Sequence, residues 1–366
     1  MTPRVIVLGG SGFFGRYLVD DLMRTSTAEV VAVGRRPARV GHRFVQCDVE
    51  DETSLRAALR GASVVVHCAG PFQGASMNPL DTAIDLGVHY VDISEDRRYA
   101  RAVQSRSEMA LAQGVTVLNG CSVVPTLSIA VANLLARPLD QVSAVRTFAA
   151  PGTGRTRGPA MFRTMLGLAG RPCSTVIDGH FERSYAWSDP EWVFFPPPVG
   201  RRLVYSVGGM ADVDAMPGGT GAKTVEFKAG CEHAWLNRLL AAASRVQRSP
   251  ARISESWLLA PARLLSSVAG FWGTDQGAAM FAISGLVRGQ PVQHWVAIVA
   301  ERDGGRIPII PAAIAVQSLL DGSMKMRGVV PPGSWLDQPR LVSGFRHRGL
   351  RLVHLERRGT ALPSWA

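Results

Sequence analysis

Lysine is nearly missing from this chain. Of 40 basic residues only Lys223, Lys228 and Lys325 are lysine, and arginine carries the rest of a formal charge of +11. Such a surplus suits a polyanion when it is clustered, because grouped guanidiniums raise the local potential that steers nucleic acid. Here the arginines are spread out, apart from a denser tail from Arg340 to Arg358. Nucleic acid is therefore not an expected partner, and the tail reads as a solvated face. Cysteine is scarce as well: Cys47, Cys68, Cys121, Cys173 and Cys231 are odd in number, lie far apart and form no C-x-x-C. That excludes a disulfide framework and a zinc site and points to a reducing, cytoplasmic compartment. The eight histidines form no H-x-x-x-H or H-E-x-x-H pair, and G-x-S-x-G is missing. No metal is expected, and metallohydrolase and serine-hydrolase chemistry have no anchor. Long apolar runs are missing too. The stretch Trp257 to Trp272 is broken by Pro261 and Arg263, short of the roughly 18 uninterrupted apolar residues that spanning a bilayer requires. Met-Thr-Pro-Arg runs straight into Val5 to Leu8, so no signal peptide is expected.

What is present is an ordinary globular balance, 46% hydrophobic and 19% charged over 366 residues, enough for two domains. Strand and helix patterns alternate from the start. Arg4 to Leu8, Glu29 to Val33, Ser63 to Cys68, His89 to Ile93 and Thr116 to Leu118 read as strands, and a further short strand precedes Cys47. Helical spacing appears over Phe14 to Arg24, Leu55 to Leu59, Pro79 to Leu86, Ala102 to Gln113 and Leu127 to Leu135. This alternation predicts an α/β fold whose N-terminal part, residues 1–130, is a Rossmann domain with a doubly wound parallel sheet. The pattern then changes. Val142 to Ala149 reads as a strand, Gly152 to Gly158 is rich in Gly and Arg, and Trp187 to Val199 reads as a loop. Residues 234 to 287 carry helical patterns, Gln293 to Ala300 a strand, and Pro308 to Leu320 a helix opened by prolines. A second, α+β substrate or dimerisation domain over 131–307 is expected, followed by a C-terminal helix and tail, 308–366, returning toward the Rossmann domain.

The first strand runs into Gly9-Gly10-Ser11-Gly12-Phe13-Phe14-Gly15, which satisfies G-x-G-x-x-G and G-x-x-G-x-x-G together. One glycine makes the strand-to-helix turn, one lets the backbone approach a pyrophosphate, and one lets helix and strand pack closely; the helix N-terminus offers its amides to the phosphates. The motif sits between a strand and a helix inside a βαβ unit, the context that gives it meaning. About twenty residues on, where an acid would hold a ribose 2′-hydroxyl, stand Gly34, Arg35 and Arg36. Two guanidiniums suit a 2′-phosphate, which favours NADP over NAD. Asp48 and Val49 follow the next short strand, and an Asp there can hold the adenine edge or simply make a turn. Ala69, Gly70 and Pro71 close the strand Ser63 to Cys68 and border the nicotinamide half. Ser94 and Glu95, with Cys121 and Pro125, follow the next two strands and are the candidate substrate residues, since ligands of doubly wound sheets bind at carboxyl strand ends. Asp92 belongs to the same edge, and no single residue there stands out as proton donor.

Together these residues resemble the saccharopine dehydrogenase-like (saccharopine reductase-type) NADP-binding oxidoreductases. The resemblance rests on Val66-His67-Cys68-Ala69-Gly70-Pro71-Phe72, on Gly87-Val88-His89-Tyr90-Val91-Asp92-Ile93-Ser94-Glu95, and on Gly120 to Thr126. It returns in Pro311 to Ala315, Leu319 to Gly322 and Gly328 to Gly333. It is good over 4–130, patchy to lacking over 150–290, and good again over 308–335. It implies hydride transfer between NADP(H) and a substrate that the variable middle would choose: an amino-acid-derived imine or a hydrophobic, lipid-type molecule. A short-chain dehydrogenase is the weaker reading, because none of the five tyrosines has a lysine four residues on. A non-catalytic NADP(H) sensor or scaffold is the competing reading. The expected partner is a small molecule, with room for a homodimer. Trp235, Leu239, Trp257, Leu258, Leu259, Leu264, Leu265, Phe271 and Trp272, interleaved with Arg245, Arg248 and Arg252, read as a helical core, as the lid of an apolar pocket, or as a peripheral membrane contact.

Overall fold

The computed structural model of the chain describes residues 2–37, 42–154, 167–207, 210–249 and 270–358. They form two compact units, each drawn from two stretches of chain: 2–130 with 308–344, and 131–307 with 345–358.

The first unit is built on a seven-stranded sheet. Its strands are β1 (Arg4–Leu8), β2 (Glu29–Gly34), β3 (Arg43–Gln46), β4 (Val64–His67), β5 (His89–Asp92), β6 (Thr116–Leu118) and β15 (Gly328–Val330). The order is β15-β6-β5-β4-β1-β2-β3, and every pairing is parallel. Val5 to Leu8 and Val64 to Val66 are wholly buried, the continuous apolar runs of strands covered on both faces. The helix Phe13–Thr25 lays Gly15, Leu18, Val19 and Leu22 inward. Ile310–Leu320 buries every residue from Ile310 to Val316 and packs on that helix and on β4 and β5. An apolar helix of this kind has no outward face because it is itself core.

The second unit holds a mixed sheet of nine strands. Along its main path lie β10 (Ser188–Phe195), β11 (Gly200–Ser206), β12 (Thr224–Ala229), β7 (Gln141–Pro151), β13 (Gly277–Val287), β14 (Gln290–Ala300) and β16 (Arg351–Arg358); β8 (Pro172–Ile177) and β9 (His180–Tyr185) branch from β12. Phe148, Phe195, Met280, Ala297 and Val299 form one core cluster. Another gathers Trp187, Leu203 and Tyr205 with Leu240 and Ala241 of the helix Ala234–Arg248.

Several expectations are corrected here. Trp187 to Val199 is not a loop, for Ser188–Phe195 is β10, antiparallel to β11. Pro190 obscured it, yet it falls where the register shifts between Ser188 and Glu191 on a strand at the end of the sheet order, the setting in which a sheet accepts proline. Residues 277 to 287 are not helical but form β13, paired on both sides by β7 and β14; near-total burial erases the polar alternation that marks a strand. Ala102 to Gln113 divides into helices Arg97–Gln104 and Ser107–Ala112. The segment 308–366 divides as well: 308–344 joins the first unit, whereas 345–358 belongs to the second, where β16 pairs with β14. The basic tail was expected as a solvated face; Arg346 and Arg351 in it are exposed and Arg348 is buried, and its last part is the strand β16, paired with β14. Trp257, Leu258, Leu259, Leu264, Leu265 and Arg252 lie outside the described residues. Among the described residues no helix is long and apolar enough to cross a membrane.

Candidate functional site

The glycine loop is fixed by contacts that only glycine permits. Gly9 has φ +74°, the left-handed region, and a Cβ there would sit 2.7 Å from the backbone of Ala69. Its amide donates to Val33 O at 2.7 Å, and Gly12 N donates to Gly9 O at 2.8 Å. A Cβ on Gly15 would stand 2.1 Å from Gly9 O, and one on Gly10 would stand 2.8 Å from Ala32. The loop is thus pressed against β2 on one side and the end of β4 on the other. Gly12 differs: its only close neighbour is Gly9 O at 3.0 Å, and it is exposed at the N-cap of Phe13–Thr25 with no side chain capping the helix. The first amides of that helix, beginning with Phe13 and Phe14, have no acceptor four residues back. An uncapped helix N-terminus behind an open glycine fits a pyrophosphate, through both free N–H groups and the positive end of the helix dipole.

Around this cradle the other cofactor residues follow strand ends. A Cβ on Gly34 would lie 3.2 Å from Ser11 Oγ, so Ser11 stands beside the end of β2, where Arg35 and Arg36 emerge exposed. Cys47 N donates to Gly34 O at 3.1 Å, which brings Asp48 alongside. Asp48 is exposed, and its Oδ1 accepts from Glu50 N at 3.2 Å; Val49 packs on the core. Ala69, Gly70 and Pro71 leave β4 directly against Gly9, and Phe72 turns back onto the rings of His67 and Tyr99 at 4.9 and 5.1 Å.

The candidate substrate residues are tied together by Asp92, which ends β5 and is fully buried. Its carboxylate accepts from Ser94 N, from Gly120 N and from Asn119 Nδ2, each at 2.9 Å. Ser122 Oγ donates to Glu95 Oε1 at 2.9 Å. The loops after β5 and β6 are therefore laced to each other. Ser94 is buried, with its Oγ accepting from Asp96 N at 3.2 Å. Cys121 and Pro125 are also buried: the thiol donates to Leu118 O at 3.6 Å, and Pro125 packs where a Cβ on Gly120 would be. Burial, with Asp92 nearby, pushes the Cys121 thiol well above its ordinary range, so it is a neutral wall group. Of the four, Glu95 reaches the surface most. Asn119 was not singled out in the sequence, although it directly precedes Gly120-Cys121; Ser122 and His67 stood only within the quoted motifs.

Two buried groups titrate in opposite senses. Burial raises Asp92 to about 6, against the four hydrogen bonds that favour its charged form. Burial alone lowers His67 to about 4, so its ring is neutral at ordinary pH.

Residues 5–118 match the family model for the saccharopine dehydrogenase NADP binding domain. That match makes residues 5–118 similar to an NADP-binding domain of the saccharopine dehydrogenase type and supports NADP as the cofactor. The chain shares its fold with apo saccharopine dehydrogenase (L-Glu forming) from Saccharomyces cerevisiae, at TM-score 0.70 and 15% identity, over 97% of this chain and 100% of that one. It is similar to a lipid droplet localized protein of Caenorhabditis elegans, 28% identical over 137 residues, 32% of each chain. It is similar also to a probable mitochondrial saccharopine dehydrogenase-like oxidoreductase of Arabidopsis thaliana, 21% identical over 140 residues, 32% of this chain and 31% of that one. Each match spans about a third of the curated relative's length.

Arg35→Asp replaces an exposed guanidinium beside Ser11 with a carboxylate. It should weaken NADPH by about 1.5 to 3 kcal/mol through the lost charge-assisted bond, and tighten NADH. Titrating both cofactors against both proteins reads this out; an unshifted preference would mean that Arg35 does not meet the 2′-phosphate. A second prediction concerns pH. Folded Asp92 keeps its proton up to about pH 6, against an ordinary value of 3.8, so between these the native state binds more protons and its contribution to stability falls as pH rises. His67, ordinarily 6.5 and here about 4, binds a proton more readily when unfolded, so its contribution rises with pH over nearly the same window. Relative to the native protein, Asp92→Asn should gain stability from pH 4.5 to 6, and His67→Phe should lose it. Urea unfolding across that range checks both signs.

Proposed function

We propose that the chain is an NADP(H)-dependent oxidoreductase that transfers a hydride between the cofactor and a hydrophobic or acyl-bearing small molecule. The observation that carries the reading is the convergence of the glycine cradle with the laced loops after β5 and β6 on the carboxyl edge of one parallel sheet. NADPH supplies the hydride; the protein's work is to hold the reacting carbon against it and to manage one proton. Gly12 and the following helix amides hold the pyrophosphate, while Arg35 and Arg36 meet the 2′-phosphate. Glu95 and Ser122 form the proton-handling pair: as a substrate atom at the strand end takes the Ser122 hydroxyl proton, Glu95, protonated from the solvent it partly reaches, returns one to Ser122 Oγ. Asp92 is the positioning residue beneath them.

The preference for an apolar substrate takes its support from the lipid droplet localized relative. The same reading takes the protein as cytoplasmic and as a homodimer.

The test follows NADPH absorbance with two substrate panels, acyl thioesters and unsaturated acyl compounds in one, 2-oxo acids paired with amino acids in the other. Consumption is expected with the first. Glu95→Gln should slow it by about 10²-fold with NADPH affinity unchanged. Consumption only with the second panel would assign an imine substrate, and full activity of Glu95→Gln would remove Glu95 from the proton path.

A further inference from the structure

The helix Ala234–Arg248 turns Leu236, Asn237, Leu240, Ala241 and Ser244 into the second unit. The opposite face should then be polar, as on any half-buried helix. It is apolar instead. Trp235, Leu239 and Val246 are 38%, 45% and 37% exposed, and with exposed Ala242 they follow the spacing i, i+4, i+7, i+11 of a single stripe. One flank of the stripe carries Arg238 and Arg245, both exposed, and the helix contains no acidic residue.

A second apolar group stands at the same end of the unit. Phe271 and Trp272 are 64% and 74% exposed. Two residues later Thr274 is fastened to Glu232, whose carboxylate accepts from Thr274 N at 2.7 Å and Thr274 Oγ1 at 2.8 Å, and from Thr153 N at 3.1 Å. Glu232 lies three residues before Trp235. At no more than about 3.6 Å per residue, both tryptophans lie within about 11 Å of this clamp along the backbone.

We propose that the outward face of Ala234–Arg248, with Phe271 and Trp272, docks on an anionic lipid surface. Three observations select this occupant. The outward stripe is opposite the buried face, so the unit's own core does not use it. Tryptophan is the side chain best suited to the boundary between headgroups and acyl chains. The flanking guanidiniums, with no acid among them, complement negative headgroups in a chain of net charge +11. A second copy of the chain fits less well: Trp235, Leu239 and Val246 are each less than half exposed, a small area beside the roughly 800 Å² per partner of a stable interface. The proposal concerns the second unit's surface alone and does not depend on the substrate reading.

The experiment is sedimentation of the full chain with vesicles at low salt. Vesicles of phosphatidylglycerol and phosphatidylcholine in equal parts should pellet the protein, and high salt should release it; pure phosphatidylcholine should not pellet it. Trp235→Ser with Leu239→Gln should weaken binding by about tenfold or more. Arg238→Gln and Arg245→Gln should weaken it by about fivefold each. Arg238 and Arg245 are exposed, so their variants should keep the native melting temperature, whereas Trp235 and Leu239 bury more than half of their surface, so that variant should melt somewhat lower; an unchanged NADPH affinity in all of them separates a lost surface from a lost fold or cofactor site. Three results would overturn the proposal: a native chain that ignores anionic vesicles, equal binding by the Trp235/Leu239 variant, or a native dimer in sedimentation velocity that this variant dissolves.

Discussion

The first unit depends on one crowded backbone contact. Gly9 O, the Gly15 Cα and the backbone of Ala69 meet at distances that leave no room for a Cβ on either glycine. Through it the first helix comes down on the end of β1, and the end of β4 comes up beside the loop. Interiors this dense do not yield to an added methyl without moving whole elements. The exposed position of Gly12 is a consequence: its neighbours are fixed by packing, and it is the least crowded glycine of the loop.

A comparable economy governs the other half of the edge. Asp92 is a carboxylate where burial opposes charge, held there by donors from two different loops. A buried acceptor left without partners would cost about 1 to 3 kcal/mol for each unmade bond, so the loops after β5 and β6 are constrained to stay where they satisfy it. That constraint aligns Ser122 with Glu95. Neutral His67, packed against Phe72 and Tyr99, supplies the apolar floor on the β4 side.

How much of this was legible in the sequence follows from the range of the interactions. The glycine loop, the parallel strands and the strand-end residues were readable because local spacing determines them: a buried parallel strand is a short apolar run, and a phosphate loop is a glycine pattern between strand and helix. β10 and β13 were not. Pro190 disguised the first, and the second is apolar all along, so only its partners β7 and β14 distinguish it from a helix. β16 was hidden for a related reason: Arg351, Arg357 and Arg358 look like a charged tail until β14 supplies the ladder. In the site, Asp92 was visible as a strand-end acid, but Asn119 became its partner only when β5 and β6 lay side by side. The exposed stripe on Ala234–Arg248 was visible as apolar residues among arginines; which way they faced was not.

On this reading the glycine loop of the first unit holds the phosphates of NADP. Hydrogen exchange of the backbone amides with and without NADPH tests it most directly, since bound phosphate must occupy the amides that the helix leaves without acceptors. Added protection is expected to concentrate on Phe13 to Gly15 and on the segment after β2 that bears Arg35. Saturating NADPH with unchanged exchange at Phe13 and Phe14 would rule this out.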